Sequence, residues 1–260
     1  MKITPLLPER ISKQGYVLGS WINSASPIIA EVMAYSGFDF LAIDVEHSAV
    51  DLFQTQVLIQ AIQAGNKHCH PLVRLPSTEK SLIKRYLDAG ASGVIAPMVN
   101  NAEIVQEVVS SAKYPPVGTR GVGYSRSNKY GMDFDRSIPN DNERIFICMQ
   151  IEHIDGVKNL EKILVVPGID AVLIGPYDLS ASMGVTGKLN HPDMINAKKM
   201  ILDGCKRHNI IPGIHIVKPD FTEAISYLEE GFQFIAFSLD ITIISEKSRE
   251  FMDYVRRSTK

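Results

Sequence analysis

Ile145-Phe146-Ile147-Cys148-Met149-Gln150-Ile151-Glu152 and, further on, Ala171-Val172-Leu173-Ile174-Gly175-Pro176-Tyr177-Asp178-Leu179-Ser180 decide the fold. Each opens as a short apolar run of the kind buried on both faces of a parallel sheet. Ile154 to Leu164, lying between them, has helical spacing, so the whole predicts one β-α-β unit. Such a unit sets its two strand ends side by side on one edge of the sheet. Both runs lead into a carboxylate, Glu152 and Asp178, and a buried strand gains nothing structurally from an acid at its end. Two neighbouring carboxylates repel unless something lies between them, and a hard divalent cation is the simplest candidate. Taken singly, each acid reads better as a helix cap. Taken together, they predict a metal site.

Length and composition agree with a barrel. The chain has 260 residues, the usual size of one (β/α)8 domain. Apolar residues make up 45% and charged residues 22%, enough to build a large core under an ordinary surface. A net charge of −2 gives no reason to expect nucleic acid or an anionic membrane as partner. Met1 to Arg10 lacks the apolar segment of a signal peptide, and no apolar run reaches membrane-spanning length. Cys69, Cys148 and Cys205 are isolated, which suits reduced thiols and an expected cytoplasmic location. Cys148, inside an apolar strand, is expected to fill core.

The rest of the chain repeats the same alternation. Strands are expected at Tyr16 to Trp21, Phe40 to Asp44, His70 to Leu75, Gly93 to Val99, Ile145 to Ile151, Ala171 to Gly175, Ile211 to Val217 and Phe234 to Leu239. Helical patterns follow each of them: Pro27 to Ser36, Leu52 to Ala64, Ser77 to Ala89, Ala102 to Ala112, Ile154 to Leu164, Met194 to His208, Phe221 to Glu230 and Ile243 to Val255. Gly37, Gly65, Gly90 and Gly231 stand where left-handed C-caps are expected. Eight such units predict a single (β/α)8 TIM barrel spanning residues 1–260. A doubly wound open sheet would not need eight units, and the chain has no Gly-rich first turn. One interval breaks the rhythm: residues 113–143 form a long excursion whose stretch Tyr114 to Arg126 holds three glycines and two arginines, Arg120 and Arg126, able to cradle an anion. It matches neither the P-loop nor the dinucleotide fingerprint.

Other polar groups fall at strand ends, where a barrel builds its site. Asp44-Val45-Glu46-His47 closes the second strand and Arg74 the third. A lone His is most often structural, but beside acids it can serve as a base near neutral pH. Asp44 is expected to orient His47 or bond a metal-bound water, and Glu46 is either a surface or a supporting acid. Arg74 interrupts an apolar strand and must meet an acid or an anion.

In order along the chain, Asp44-Val45-Glu46-His47, Pro71-Leu72-Val73-Arg74, Ala96-Pro97-Met98-Val99, Arg120-Gly121-Val122-Gly123, Gln150-Ile151-Glu152 and Gly175-Pro176-Tyr177-Asp178-Leu179-Ser180 resemble the HpcH/HpaI aldolase family from about Gly19 to Asp240. The resemblance implies a class II, metal-dependent aldolase that cleaves a 2-keto-3-deoxy-4-hydroxy acid to pyruvate and an aldehyde. It implies metal ligation by Glu152 and Asp178, a base role for His47, and Arg74 bonding the keto or enolate oxygen. Trp21 and Gln150 would line the keto acid, and the turn Gly175, Pro176, Tyr177 and Asp178 would receive its carboxylate. Mg²⁺ or Mn²⁺, with Co²⁺ as a substitute, suits two carboxylates plus waters. Zinc would call for thiols or paired histidines. A homohexamer is implied, with the last helix, residues 241–257, exchanged between partners.

Tyr177 and His215 differ from the smaller and more aliphatic residues expected in such aldolases, and the stretch Ser125 to Gly131 also departs. The acceptor end is accordingly expected on His215 and on the excursion, chiefly Arg120, Ser125, Arg126 and Asn128. A condensing enzyme using another electrophile, a non-catalytic keto-acid-binding barrel, and a Schiff-base aldolase using Lys218 are the competing readings.

Overall fold

The computed structural model describes residues 6–259; residues 1–5 and 260 of the expected domain lie outside the described residues. Eight parallel strands close into a barrel in sequence order: β1 (Val17–Ile22), β2 (Phe40–Asp44), β3 (His70–Arg74), β4 (Gly93–Ala96), β5 (Phe146–Ile151), β6 (Ala171–Ile174), β7 (Ile211–Ile216) and β8 (Phe234–Leu239), with β8 returning to β1. The helices are α1 (Leu7–Gln14), α2 (Pro27–Tyr35), α3 (Leu52–Gly65), α4 (Lys80–Asp88), α5 (Ala102–Ala112), α6 (Phe134–Arg144), α7 (Ile154–Lys158), α8 (Leu160–Leu164), α9 (Pro176–Ser182), α10 (Pro192–His208), α11 (Phe221–Glu230) and α12 (Asp240–Ser258).

Side chains alternate across each strand, so every strand feeds two cores. Outward residues such as Leu41, Ile43, Val73, Ile147, Met149, Val172 and Ile214 pack under the helices. Inward residues, among them Phe40, Leu72, Ile95, Phe146, Cys148, Leu173 and Phe234, fill the barrel itself. This double burial is why the strands read as unbroken apolar runs. Inside, Phe40 stacks on Phe234 with ring centroids 4.2 Å apart. A Cβ at Gly19 would stand 2.4 Å from the Phe40 ring, so the glycine makes room for that stack.

Several expectations are corrected. α1 had not been anticipated; its Leu7 and Ile11 join the interior cluster and close the end where strands begin. The helix expected over Ile154 to Leu164 is two short helices hinged at Asn159, whose side chain donates to the Asn100 carbonyl. Gly65 lies in the last turn of α3, where its missing Cβ allows close packing on the Glu31 carbonyl. Gly37, Gly90 and Gly231 do take positive φ. β4 ends at Ala96 rather than Val99, because Met98 turns left-handed with φ 51°.

The excursion holds a 3-10 turn at Arg126–Gly131 and α6. It joins the end of one helix to the start of the next strand, so it lies at the end of the barrel where strands begin. Cys69, Cys148 and Cys205 are all buried free thiols. No described helix is long and apolar enough to cross a membrane.

Candidate active site

At the opposite end, where strands finish, inward polar residues replace apolar ones. Arg74 and Asp44 are paired in register at the ends of β3 and β2. Asp44 is fully buried, with Oδ1 3.0 Å from Arg74 Nε and Oδ2 2.6 Å from Nη2. It also accepts the Asn23 side-chain amide and the backbone N–H groups of Glu46 and His47. Burial works to raise its pKa, but the Arg74 hydrogen bonds and charge, with His47 N–H and Asn23, hold it below the ordinary value. Of the two roles expected of Asp44, orienting His47 takes the form of a backbone bond and not a bond to its ring. Asp44 fixes the Arg74 fork and the His47 backbone, and its buried oxygens do not reach the His47 ring. That ring is 62% exposed, with Nε2 3.8 Å from Glu46 Oε2. The Arg74 guanidinium also lies 4.3 Å from the centre of the buried Trp21 ring.

Glu152 follows β5 directly and is 3% exposed. Its Oε1 accepts the Met98 N–H at 2.6 Å, and Oε2 accepts a very short bond from the Gln150 side-chain amide. The left-handed turn at Met98 is what aims that N–H. Asp178 does not end a strand: it stands exposed in the first turn of the short helix α9, which Gly175 and Pro176 begin. Burial, with the nearby charges of Glu46 and Asp178, pushes Glu152 up to about 7 despite the Met98 and Gln150 bonds. Glu46 is likewise raised by burial, with Asp44 and Asp178 adding to the shift and Arg74 and His47 opposing it. Three carboxylates thus converge on one mouth, with Glu46 Oε2 3.5 Å from Arg74 Nε.

That acid cluster fits a divalent cation, since burying mutually repelling carboxylates is costly without one. Among the described residues no group of three or more His, Cys, Asp or Glu side chains is arranged to hold a metal. A site on Glu152 and Asp178 would rest on two carboxylates, with the remaining positions left to water and substrate. Gly175 belongs to the cradle: a Cβ there would stand 2.9 Å from Gln150 Nε2 and from Glu152 Cβ and Oε2. Gly175→Ala is therefore expected to push the Glu152 carboxylate aside, weakening Mn²⁺ binding about tenfold or more at a stability cost of about 1–3 kcal/mol. Calorimetric Mn²⁺ titration beside a thermal melt checks this. Unchanged affinity would show that the carboxylate is not confined.

Of the residues expected at the site, Trp21, Asp44, His47, Arg74, Gln150, Glu152, Gly175, Pro176, Tyr177, Asp178 and His215 lie at or beside this mouth. Arg120 and Arg126 do not. Arg120 is 2% exposed, bonded to Asp88 at 2.7 Å and laid over the Tyr114 ring. Arg126 donates to the Gln63 side chain at 2.6 Å beside Ala89 and Gly90, where α4 ends. Asn128 is buried and ties the excursion to itself through Gly123, Ser125 and Gly131. Within one chain these groups brace the far end of the barrel and cannot line the rim. Glu46 is the site residue that sequence reasoning left undecided; its place two residues past the inward Asp44 was the available signal. Lys218 is exposed, so it lacks the desolvated pocket that a Schiff-base lysine needs.

The fold and this acid-lined mouth define a (β/α)8-barrel enzyme site. The sequence model of the HpcH/HpaI aldolase/citrate lyase family matches residues 18–246. A 2-dehydro-3,6-dideoxy-6-sulfogluconate aldolase of Pseudomonas putida is 37% identical over 93% of both chains. A hydroxypyruvate/pyruvate aldolase of Roseobacter denitrificans is 36% identical over 91% of both. The crystal structure of an HpcH/HpaI aldolase/citrate lyase family protein from Burkholderia cenocepacia superposes with TM-score 0.88 at 32% identity, covering 93% of this chain and 95% of that one. The chain belongs to the HpcH/HpaI aldolase/citrate lyase family. It is an aldolase, a carbon–carbon lyase. Aldolases of this family are generally dependent on a divalent metal.

Proposed function

We propose that the chain is a class II aldolase that cleaves a polar 2-keto-3-deoxy-4-hydroxy acid to pyruvate and an aldehyde, and joins them in reverse. The observation that carries this is the meeting of Glu152, Asp178 and Glu46 with the Asp44-held Arg74 fork in one mouth. Glu152 and Asp178 would hold Mg²⁺ or Mn²⁺, with Co²⁺ as a substitute. When bound, the cation supplies Lewis acidity to the keto carbonyl and so acidifies the adjacent carbon.

The chain's own groups do the rest. Arg74, its planar fork held by Asp44, donates to the keto oxygen where negative charge develops as the C3–C4 bond breaks. The first-turn N–H groups of α9, at Tyr177 and Asp178, have no acceptor within that helix and suit the substrate carboxylate. His47 takes the proton from the C4 hydroxyl. The electron pair of the breaking bond moves toward C3 and the keto oxygen, the C4–O bond becomes the aldehyde carbonyl, and a proton returned to C3 completes pyruvate. The relatives' names, sulfogluconate and hydroxypyruvate aldolases, favour a polar, oxygen-rich substrate.

Incubation with pyruvate in deuterated water tests the reading: Mg²⁺- or Mn²⁺-loaded protein should exchange the methyl protons, and chelation should stop it. A keto-acid-binding barrel without catalysis would not exchange them. Exchange that survives chelation, or a pyruvate adduct trapped on lysine by borohydride, would refute the class II assignment.

The assembly belongs to the same proposal. In α12 only Asp240 is buried, and every residue from 247 to 259 is exposed, including Phe251, Met252, Tyr254 and Val255. Exposed Ile28, Val32 and Tyr35 on α2 and Phe221 and Ile225 on α11 offer an apolar seat. Exchange of α12 between copies, in a homohexamer as the family resemblance implies, would cover both surfaces. Phe251→Glu should then lower the mass seen by light scattering. A wild-type monomer would remove the idea.

A further inference from the structure

Deep in the mouth, Trp21 Nε1, Gln150 Oε1 and His215 Nε2 are enclosed and make no hydrogen bond. Unmet polar atoms are uncommon in folded proteins and call for an explanation. Two of these belong to touching rings: Trp21 and His215 meet edge to face with centroids 5.3 Å apart. Arg74, 4.3 Å from the Trp21 ring centre, stands on the same cluster. Both rings point inward from the last turns of β1 and β7, beside the expected keto oxygen.

Each ring nitrogen has one role. Indole N–H only donates. Burial, helped by the Arg74 charge, pushes His215 down to about 3, against the Ser238 backbone and Asp44, so its ring is neutral at neutral pH. On a neutral ring one nitrogen donates and the other accepts, and Nε2, buried without a partner, offers a lone pair when the proton sits on the other nitrogen. A donor and an acceptor on touching rings match a hydroxyl, which accepts from one and donates to the other. A methyl would leave both unmet, and an anion would confront the lone pair.

We propose that His215 and Trp21 form a specificity-determining pair that selects a hydroxyl on a carbon close to the keto group held by Arg74. The inference rests on the keto-acid reading above and adds the substrate feature that the mouth reads. Two sources have this chemistry: a hydroxyl on the carbon next to the aldehyde carbonyl of the acceptor, which a 3-deoxy substrate supplies, or a hydroxyl on C3, which would make the donor hydroxypyruvate in place of the pyruvate of the reading above.

The test uses full-length, Mn²⁺-loaded protein and the variants His215→Leu, His215→Asn and Trp21→Phe. One arm compares hydroxypyruvate with pyruvate as donor against a fixed unhydroxylated aldehyde. The other compares glycolaldehyde with acetaldehyde as acceptor against pyruvate. In the arm that carries the hydroxyl, the ratio of kcat/KM values should fall about tenfold or more in His215→Leu and in Trp21→Phe, whatever the absolute rates. His215→Asn, which keeps an acceptor, should recover part of it. Ratios unchanged in both arms would overturn the inference and leave the rings to a buried water. Equal losses on every substrate would also overturn it, reducing His215 to packing. Failure of the wild-type protein to exchange pyruvate protons would instead strike the keto-acid reading, so the two failures are distinguishable.

Discussion

Glu152→Gln is expected to leave a folded barrel that has lost Mn²⁺ affinity and turnover on the order of a thousandfold, since metal polarisation contributes several kcal/mol to such reactions. The substitution keeps shape and removes only charge. That charge is 3% exposed and stands against Glu46 and Asp178, so the metal-free fold should be as stable as wild type or more so. Calorimetric titration with Mn²⁺, beside a melt of the chelated protein, separates loss of metal from loss of fold. Wild-type affinity in the variant would dismiss Glu152 as a ligand.

A pH signature accompanies it. The Glu152 carboxyl, pushed up to about 7, holds a proton in the metal-free protein below that pH. Binding must expel the proton, so apparent affinity should fall about tenfold per pH unit below 7 and level off above it. The raised pKa also means the folded state binds that proton more tightly than the unfolded chain does. Metal-free stability should therefore rise as pH falls from about 7 toward the ordinary glutamate value, and Glu152→Gln should flatten both dependences.

Arg74→Lys is expected to lower kcat about 10²–10³-fold, with a smaller change in KM. Lysine keeps the charge but not the planar fork whose two nitrogens engage both Asp44 oxygens at 3.0 and 2.6 Å. Without that fork the donor is free to wander from the developing charge. Asp44→Asn should reproduce much of the kcat loss, because it leaves Arg74 unoriented. Arg74→Ala is a poorer probe. It strands a fully buried carboxylate, a defect of about 3–5 kcal/mol that would confound folding with catalysis. Steady-state kinetics of Arg74→Lys and Asp44→Asn decide the point, and unaltered kcat in either would detach the pair from the chemistry.

The excursion shows where linear reading went astray. Its glycines and arginines suggested an anion cradle, and its length suggested a functional loop. Yet it runs from the end of α5 to the start of β5, and in a barrel such helix-to-strand connections lie opposite the catalytic face. Eight repeated units already imply that placement, and Arg120 is a buried partner of Asp88.

The chain alone determined the barrel and the line of acids and bases along its rim. Strand burial on both faces, helix periodicity and the order of strand ends are local patterns, and a β-α-β unit admits almost one hand and one direction. Only the tertiary structure decided what each polar group does. Whether Asp44 meets the Arg74 fork or the His47 ring, whether Glu46 faces the mouth, and which ring nitrogens are left unmet depend on register between strands and on burial. Those are set where distant segments pack together, since a carboxylate's partner and pKa belong to its surroundings and not to its neighbours in sequence.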